Sequence, residues 1–259
     1  MTTSDPTSST ADELGAPQAS AAPAPKQRRK RDSLNREVIL EAAEAIASRD
    51  GLEKLTFQSL GAELQAHPTS MYRHFKDKDE LVRALLDSLR DRSYLGSLVH
   101  TDDWREDLRI AGRVVHDHYL RYQQFAQQMA ARTTRLPREF ANMEFLLQAL
   151  LAAGFSPDDA LRYQRVFGNY VRALSSIEAA SHALPAEMQA EDELAWRMQF
   201  ERLDPEDFPA LTAAGRPFLG IGDTQTFDTG LEVLIKGLEA LAAESREAAA
   251  NRTTADPPQ

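Results

Sequence analysis

In the stretch 69–78, six candidate contact residues carry side chains that can donate hydrogen bonds. They are Thr69, Ser70, Tyr72, Arg73, His74 and Lys78. Hydroxyl, phenol, imidazole and ammonium groups can donate to phosphate oxygens, and an arginine can also pair with planar acceptors. This combination of groups is suited to binding an anionic surface that is rich in acceptors.

The element that carries these side chains is predicted to be a short helix. Pro68 suits a first helical position because its missing N–H would have no partner there. Met71 and Phe75 lie four residues apart and point into the core. Thr69 shares the opposite, polar face with Tyr72 and Arg73, and that face has no core to join. The stretch AHPTSMYRHFKDKDEL therefore predicts a two-turn helix with one buried side and one free side.

Three further helices are predicted around this segment. Asn35 can cap a first helix that ends at Gly51, and Thr56 can cap a second helix of about ten residues. At Asp77 a new cap is followed three residues later by Glu80, as in a capping box, so a longer fourth helix begins at once. A second helix, a turn and a short third helix are the plan of a helix-turn-helix unit, whose last helix enters a DNA major groove.

Basic charge is concentrated early in the chain, although the formal net charge of the whole chain is -10. Residues 26–95 carry 14 Lys and Arg against 12 Asp and Glu, whereas residues 96–259 carry 16 against 25. Just before the first helix stands the run KQRRKR, whose candidate DNA contacts are Arg28, Arg29, Lys30 and Arg31. Such an arm can follow a DNA backbone or a minor groove and add salt-sensitive affinity. The alternative is a solubilising tail or one that binds other anionic surfaces.

The remaining sequence predicts an all-α protein with low-complexity ends. Residues 1–31 and 246–259 are polar and poor in large apolar residues, so both are predicted to be disordered. Helical periodicity predicts helices at 102–122, 124–132, 138–153, 158–182, 186–202 and 224–245. Leu203–Gly222 is rich in Pro and Gly and is predicted to be irregular.

The chain resembles the TetR family of bacterial transcriptional regulators over Arg36–Leu86, and most specifically in MYRHFKDKDEL, Met71–Leu81. The segment FDTGLEVLIKGLEAL, Phe227–Leu241, also looks like the last helix of one large subgroup of that family. Two positions depart from the family pattern. The family often has Gly where this chain has Gln65, and a small polar cap where it has His67.

The resemblance implies an all-helical homodimer with a helix-turn-helix DNA-binding domain at 32–80 and an effector-binding and dimerisation domain at 81–245. It implies phosphate contacts from Thr56, Tyr72, His74 and Lys78, and groove contacts from Thr69, Ser70 and Arg73. The implied function is that of a ligand-responsive regulator, most often a repressor that a small molecule releases from its operator. Two recognition helices about 34 to 36 Å apart in a two-fold dimer would read a palindrome.

Apolar stripes near the end of the chain could form a four-helix dimer interface. One stripe consists of Tyr163, Phe167, Tyr170, Leu174 and Ile177, and the other of Leu231, Leu234, Leu238 and Leu241. Gly230 and Gly237 lie in the second helix, where they suggest a closely approaching neighbour. Packing within one chain is the alternative.

Large apolar residues of the C-terminal region are candidates to line an effector cavity. They are Trp104, Tyr119, Phe125, Met129, Phe145 and Phe167. The alternative for each of them is ordinary core packing, which is the usual place of an aromatic side chain at helical spacing.

Other classes of protein fit the sequence less well. His116 and His118 are two apart on a helix and point about 200° from each other, so they cannot share a metal ion unaided. The chain lacks a Gly-rich phosphate loop, a nucleophile elbow and an HExxH motif, so we expect neither an enzyme nor a cofactor. It has no Cys and no apolar run of about 18 residues, which favours a cytoplasmic protein without a membrane anchor. A helical protein-interaction module without specific DNA binding remains the alternative function.

Overall fold

The computed structural model describes residues 34–94, 96–215 and 223–255, and within these ranges no residue lies in a β-strand. The all-α prediction is therefore confirmed. The α-helices are α1 (Arg36–Asp50), α2 (Phe57–Leu64), α3 (Lys78–Tyr94), α4 (Trp104–Arg121), α5 (Ala126–Ala131), α6 (Pro137–Ala152), α7 (Pro157–His182), α8 (Ala186–Phe200), α9 (Pro209–Ala214) and α10 (Thr224–Ala255). The described residues from Asn35 onward form one compact unit.

The first two helices begin at the caps that the sequence predicts. The Oδ1 atom of Asn35 accepts a hydrogen bond from the backbone N–H of Val38 at 2.8 Å. Thr56 and Ser59 form a reciprocal capping box, in which each side chain accepts from the backbone N–H of the other residue. Gly51 ends α1 with a φ of 90°, a backbone conformation that residues other than glycine rarely adopt.

The third helix of the N-terminal unit differs from the prediction, because it is a 3-10 helix rather than an α-helix. This 3-10 segment spans Pro68–Arg73. Backbone bonds of the 3-10 type join Ser70 N–H to His67 C=O at 2.8 Å and His74 N–H to Met71 C=O at 2.9 Å. The tighter winding fits a short element whose position is set by tertiary packing. That packing comes from Met71 and Phe75, which are fully buried as predicted.

The turn between α2 and the 3-10 segment is tight. Gln65 adopts the left-handed conformation with a φ of 51°, and the N–H of Ala66 returns to the carbonyl of Gly61 at 2.9 Å. A Cβ atom at Gly61 would lie 2.8 Å from the Ala66 carbonyl oxygen and 3.1 Å from Cγ of Pro68. Only glycine therefore allows α2 to approach the turn this closely.

Helix α3 begins at Lys78, shortly after the 3-10 segment, and runs without interruption to Tyr94. The Oδ1 atom of Asp77 accepts from the N–H of Glu80 at 2.7 Å, and the Glu80 carboxylate accepts from the N–H of Lys76 at 3.0 Å. The apolar side of the helix is buried along its length, for example at Leu81 and Leu89. A domain boundary between 80 and 81 would fall inside this continuous helix, and its position remains a prediction.

The C-terminal part is a bundle in which α7 packs against α4, α5, α6 and α10. Its core includes Phe167 of α7 and Leu231 of α10, both of which are buried. A Cβ atom at Gly112 of α4 would lie 3.0 Å from a methyl group of Leu231, so the two helices are in close contact. Ion pairs reinforce this seam, because Arg109 donates to both carboxylate oxygens of Glu232 at 2.6 and 3.0 Å.

Two helical stretches near the C-terminus differ from the sequence-based expectation. Helix α9, Pro209–Ala214, lies inside the stretch that the sequence predicts to be irregular. Helix α10 continues through Ala255, although residues 246–259 are predicted to form a disordered tail. The run EAAA at the start of this stretch favours continuation of the helix, because Ala and Glu have a high helix propensity.

None of the helices within the described ranges is long and apolar enough to cross a membrane.

Candidate nucleic-acid interface and internal cavity

The polar side of the 3-10 segment is open to solvent. Thr69, Tyr72 and Arg73 are exposed, and Ser70 and His74 are half-buried. In a 3-10 helix, residues three apart lie directly above one another, so Thr69 is aligned with Tyr72 and Ser70 with Arg73. The exposed side of the segment therefore presents two adjacent rows of hydrogen-bond donors.

Tyr72 is held outward by an aromatic contact with α2. Its ring meets the ring of Phe57 edge-on, with the centroids 4.7 Å apart. The side chain is nevertheless 60% exposed, so its phenol is free to reach a phosphate oxygen. The tyrosine side chain has few rotatable bonds, and the contact with Phe57 restricts its rotation further.

The two positions that depart from the resembling family take part in local structure. Gln65 occupies the left-handed position that favours glycine. His67 begins the 3-10 segment, and its Nδ1 atom accepts a hydrogen bond from the backbone N–H of Thr69 at 3.2 Å. His67 thus serves as the cap that a small polar residue would otherwise provide.

Lys78 and Thr56 lie on either side of the 3-10 segment. The Nζ atom of Lys78 donates to the carbonyl of Leu52 at 3.0 Å and to that of Glu53 at 3.4 Å. An ammonium group has three hydrogens, so one donor remains for an outside acceptor. The Thr56 hydroxyl caps α2 and is exposed at the end of that helix, where the partial positive charge of the helix favours anions.

Arg36 positions the start of α3 and was not singled out by the sequence reasoning. Its guanidinium donates to the carbonyl of His74 at 2.9 Å and lies 4.2 Å above the ring of Phe75. It is also 3.7 Å from a carboxylate oxygen of Glu80. One residue of α1 thus joins the end of the 3-10 segment to the start of α3.

The predicted basic arm, Arg28, Arg29, Lys30 and Arg31, lies outside the described residues, as does the rest of the predicted extension 1–31. Contacts between this arm and DNA remain a prediction.

A cavity of about 140 Å³ opens between α3, α4, α6 and α7. Its charged and polar lining consists of Arg90, Tyr94, Tyr119, Thr133, Glu139, Asn142, Gln164, Arg165 and Arg172. Apolar walls come from Val115, Leu146 and Phe167, among others. The cavity is therefore a mixed site, with convergent polar groups on an apolar background, as is common for small-molecule sites.

The structure brings two of the six predicted effector contacts, Tyr119 and Phe167, to the wall of this cavity. The other four are buried but do not line it. Trp104 lies beside the guanidinium of Arg105, and Phe145 stacks on His100 with the ring centroids 4.2 Å apart. The remaining two, Phe125 and Met129, are almost completely buried in the core.

Two buried oxygen atoms at the cavity have no hydrogen-bond partner among the described residues. They are the hydroxyl of Tyr119, whose side chain is 2% exposed, and Oδ1 of Asn142. Burial raises the pKa of the Tyr119 phenol, so this hydroxyl is neutral and can donate.

The α3 side of the cavity is connected to α4 and to the segment before α6. Arg90 of α3 donates to the hydroxyl of Thr134 at 3.2 Å. His118 of α4 is buried, and its Nδ1 lies 2.9 Å from the hydroxyl of Ser93 on α3. Burial lowers the pKa of His118 to about 3, so the ring is neutral at ordinary pH.

His116 and His118 contact different parts of the molecule. His116 lies 2.8 Å from a carboxylate oxygen of Glu178 and stacks on Phe227, whereas His118 contacts Ser93. Within the described ranges there is no group of three or more His, Asp or Glu that could hold a metal ion.

The polar cavity residues were missed by the sequence reasoning, which selected aromatic residues only. Gln164 gives a usable indication, since it is a buried polar residue three positions before the buried Phe167 on the same helix. Arg90 likewise follows the buried Leu86 by four positions on α3. A polar residue at a core-facing position is the pattern that could have indicated the cavity.

Two known protein families match the chain. A family described as "Bacterial regulatory proteins, tetR family" matches residues 39–85. A second family, described as "Tetracyclin repressor-like, C-terminal domain", matches residues 98–242.

Individual relatives match nearly the whole chain. It is 32% identical over 239 residues to an HTH-type transcriptional regulator of Saccharopolyspora erythraea, covering 91% of this chain and 97% of the relative. It is 28% identical to the class C tetracycline repressor protein of Escherichia coli, covering 81% of this chain and 93% of that protein. The crystal structure of ActR from Streptomyces coelicolor in complex with actinorhodin has a TM-score of 0.68 at 22% identity, covering 81% of this chain and 98% of that one. At this identity the likeness to ActR concerns the fold.

Proposed function

This chain belongs to the TetR family of bacterial regulatory proteins and is a ligand-responsive DNA-binding transcriptional regulator, and from that premise we propose that it is a homodimeric repressor which a small molecule releases from a palindromic operator. The observation that carries the proposal is the position of Arg90 and Tyr94. Both line the cavity from α3, the helix that begins beside the exposed 3-10 segment.

The 3-10 segment is the part proposed to enter the major groove. Thr69, Ser70 and Arg73 would contact base edges, and Thr56, Tyr72, His74 and Lys78 would contact phosphates. The exposure of the donors on this segment, the outward orientation of the Tyr72 ring and the unused hydrogen on the Lys78 ammonium support this assignment. The arm Arg28–Arg31 would add contacts to the adjacent backbone or minor groove.

Dimerisation is proposed to use α7 and α10. Exposed apolar side chains lie on both helices, namely Ile177 on α7 and Val233 and Leu241 on α10. Gly237 is on the same side of α10, and no atom lies within 4 Å of a Cβ placed there. At Gly230, in contrast, the hydroxyl of Tyr170 from the same chain already occupies the place that a Cβ atom would take. Phe167, Leu231 and Leu238 pack inside the chain, so the predicted stripes are only partly available to a partner.

Release from DNA is proposed to act through α3. An effector in the cavity would contact Arg90 and Tyr94 and change the position of α3 relative to α4 and α7. The 3-10 segment is attached to α3 through Phe75 and Arg36, so it would move with that helix. In a dimer, the two segments would then no longer match successive grooves of one operator.

Such a regulator would act in the cytoplasm, where the DNA is. The alternative of a helical interaction module that does not bind DNA finds no support, because the relatives are DNA-binding regulators by name and not enzymes or scaffolds.

Selection of genomic fragments by the purified protein, followed by fluorescence anisotropy on the selected site, tests the proposal. We expect one or a few palindromic sites and a steep loss of affinity with rising salt. Lys78→Met should weaken binding to all sequences and reduce the salt slope by about one, whereas Arg73→Ala should also relax base preference, at a cost of about 1 to 3 kcal/mol. Arg162→Gln, on an exposed side of α7, is the matched control.

Weak binding that is blind to sequence, with no difference between Arg73→Ala and the control, would contradict the regulator proposal.

A further inference from the structure

The cavity presents hydrogen-bonding groups that the protein itself does not satisfy. The Tyr119 hydroxyl and Oδ1 of Asn142 are both buried at its wall and lack partners among the described residues. Each unpaired buried polar atom costs roughly 1 to 3 kcal/mol, so such atoms are rarely left unpaired without a reason. A ligand that accepts from the Tyr119 hydroxyl and donates to Asn142 would satisfy both.

The cavity also carries an excess of positive charge. Arg90, Arg165 and Arg172 line it, against one carboxylate, that of Glu139. Within the described ranges none of the three arginines has a carboxylate at ion-pair distance, although the charge of Arg90 opposes the rise that burial causes in the pKa of Asp87. Arg172 donates to Asn169 at 2.7 Å and to the carbonyl of Gly168 at 3.2 Å, both of which are neutral groups. Arg105 and Arg109 on α4, in contrast, are paired with carboxylates of α10.

The carboxylate of Glu139 already accepts hydrogen bonds from neighbouring protein groups. It accepts from the hydroxyl of Thr134 at 3.0 Å and from the N–H of Arg135 at 2.8 Å. The cationic groups of the cavity therefore exceed the anionic ones by two, and the one carboxylate already has partners.

Two of the arginines act on the same part of the cavity. Burial raises the pKa of the Tyr94 and Tyr119 phenols, and the positive charges of both Arg90 and Arg172 oppose that rise. Both guanidinium groups are thus close enough to influence the same two phenols. An anion placed beside those phenols would be attracted by both arginines.

The size of the cavity limits the ligand. Its volume of about 140 Å³ is close to the roughly 150 Å³ of an engineered protein cavity that binds benzene. Val115, Leu146 and Phe167 supply an apolar wall on which one aromatic ring can lie. The space thus suits a single ring with a small charged substituent.

We infer that the effector of this regulator is a single-ring aromatic carboxylate, whose carboxylate is bound by Arg90 and Arg172 and whose ring substituent pairs with Tyr119 and Asn142. This inference rests on the proposed function. A carboxylate is planar and matches the guanidinium group in a bidentate manner. Because Arg90 now donates to Thr134, a carboxylate would compete for that donor and so connect ligand binding to α3.

Isothermal titration with benzoate and with 2-, 3- and 4-hydroxybenzoate, each matched to its neutral amide, tests the inference on the full-length protein. We expect at least one acid to bind at least tenfold more tightly than its amide and to release the selected operator. Arg90→Gln and Arg172→Gln should each weaken binding of that acid at least tenfold. The control is Arg162→Gln, which removes an arginine that pairs with Asp159 and does not line the cavity, and it should leave binding of the acid unchanged.

A second variant keeps the test independent of any folding defect in the arginine variants. Tyr119→Phe removes a hydroxyl that has no partner, so it should fold normally. It should weaken binding of the preferred hydroxybenzoate but not of benzoate. If no acid binds, or if amides bind as tightly as their acids, the inference is wrong.

Operator binding by the unliganded protein separates the two proposals. A protein that binds its operator and is not released by any of the acids retains the proposed function and refutes the effector class. A protein that selects no operator refutes the proposed function, whatever the acids do.

Discussion

Gln65 adopts a strained backbone conformation that the turn after α2 requires. It holds the left-handed conformation at a φ of 51°, which for residues other than glycine costs on the order of 1 kcal/mol or more. The turn persists because the N–H of Ala66 bonds to Gly61 and because Met71 is locked in the core. The departure from glycine therefore alters the stability of the turn but not its path.

Gln65→Gly should raise the free energy of unfolding by about 0.5 to 1 kcal/mol, since relief of the strained φ exceeds the added entropy of the unfolded chain. Urea denaturation followed by circular dichroism measures this. Ala62→Gly, at an exposed helical position of α2 with ordinary backbone, is the control and should lower stability by about 1 kcal/mol. A loss of stability in both variants would show that the glutamine side chain makes a contribution of its own.

His118 is a buried imidazole whose titration affects stability. Burial lowers its pKa to about 3 in the folded protein, whereas an unfolded histidine takes up a proton near pH 6.5. Between these values the unfolded state binds more protons, so the free energy of unfolding falls as the pH is lowered from 6.5 towards 3.

His118→Gln should flatten this dependence, because the glutamine does not titrate. Chemical denaturation at several pH values from 7 to 5 gives the slope for each protein. The comparison is between slopes, so a general loss of stability from the substitution does not affect it. Equal slopes would mean that His118 is solvated in the folded state.

At the scale of elements, local patterns were sufficient for most of the helices. Asn35 and Thr56 are caps whose side chains bond to the backbone three residues on, so their identity and spacing place helix starts directly. The choice between a 3-10 and an α-helix at Pro68–Arg73 was not predictable, because the two differ little in energy over so short an element.

The cavity could be predicted only in part, for a different physical reason. Helical spacing shows that Phe125 and Met129 are buried, but not which buried face is left unfilled. The polar lining comes from helices far apart in the sequence, such as Arg90 on α3 and Asn142 on α6. Their convergence depends on tertiary packing, which no single stretch of sequence contains.

Gly61→Ala tests whether the close approach of α2 to the turn sets the position of the 3-10 segment. The added methyl group would meet the Ala66 carbonyl and the Pro68 ring, so the segment must shift, at a cost of about 1 to 3 kcal/mol in stability. We expect operator affinity to fall in anisotropy titrations as well. Gly168→Ala, where a Cβ atom would meet only Gln164 at 3.8 Å, is the control and should keep full affinity for the operator.

At the scale of the whole molecule, the exposed apolar face of α7 and α10 is the surface at which the proposed dimer would form. Val233 is 66% exposed within one chain, so Val233→Glu should not affect the stability of an isolated monomer. In the proposed dimer it would bury a charge at the interface and raise the dissociation constant at least tenfold. Sedimentation equilibrium measures this constant.

Val99→Glu introduces the same change at a position that is 63% exposed and belongs to neither α7 nor α10. It should sediment as the unchanged protein does. Identical behaviour of the two variants would exclude the α7–α10 face as the interface.

In the proposed mechanism, α3 would transmit a small movement from the cavity to the 3-10 segment and enlarge it. Its 17 residues make a rod of about 25 Å, with the cavity at one end and the 3-10 segment at the other. A tilt of about 5° at the cavity would displace the far tip by about 2 Å, which is more than the tolerance of a hydrogen bond to a base edge. Under the proposed mechanism, a ligand no larger than one ring would therefore be sufficient to release the protein from DNA, provided that α3 does not bend.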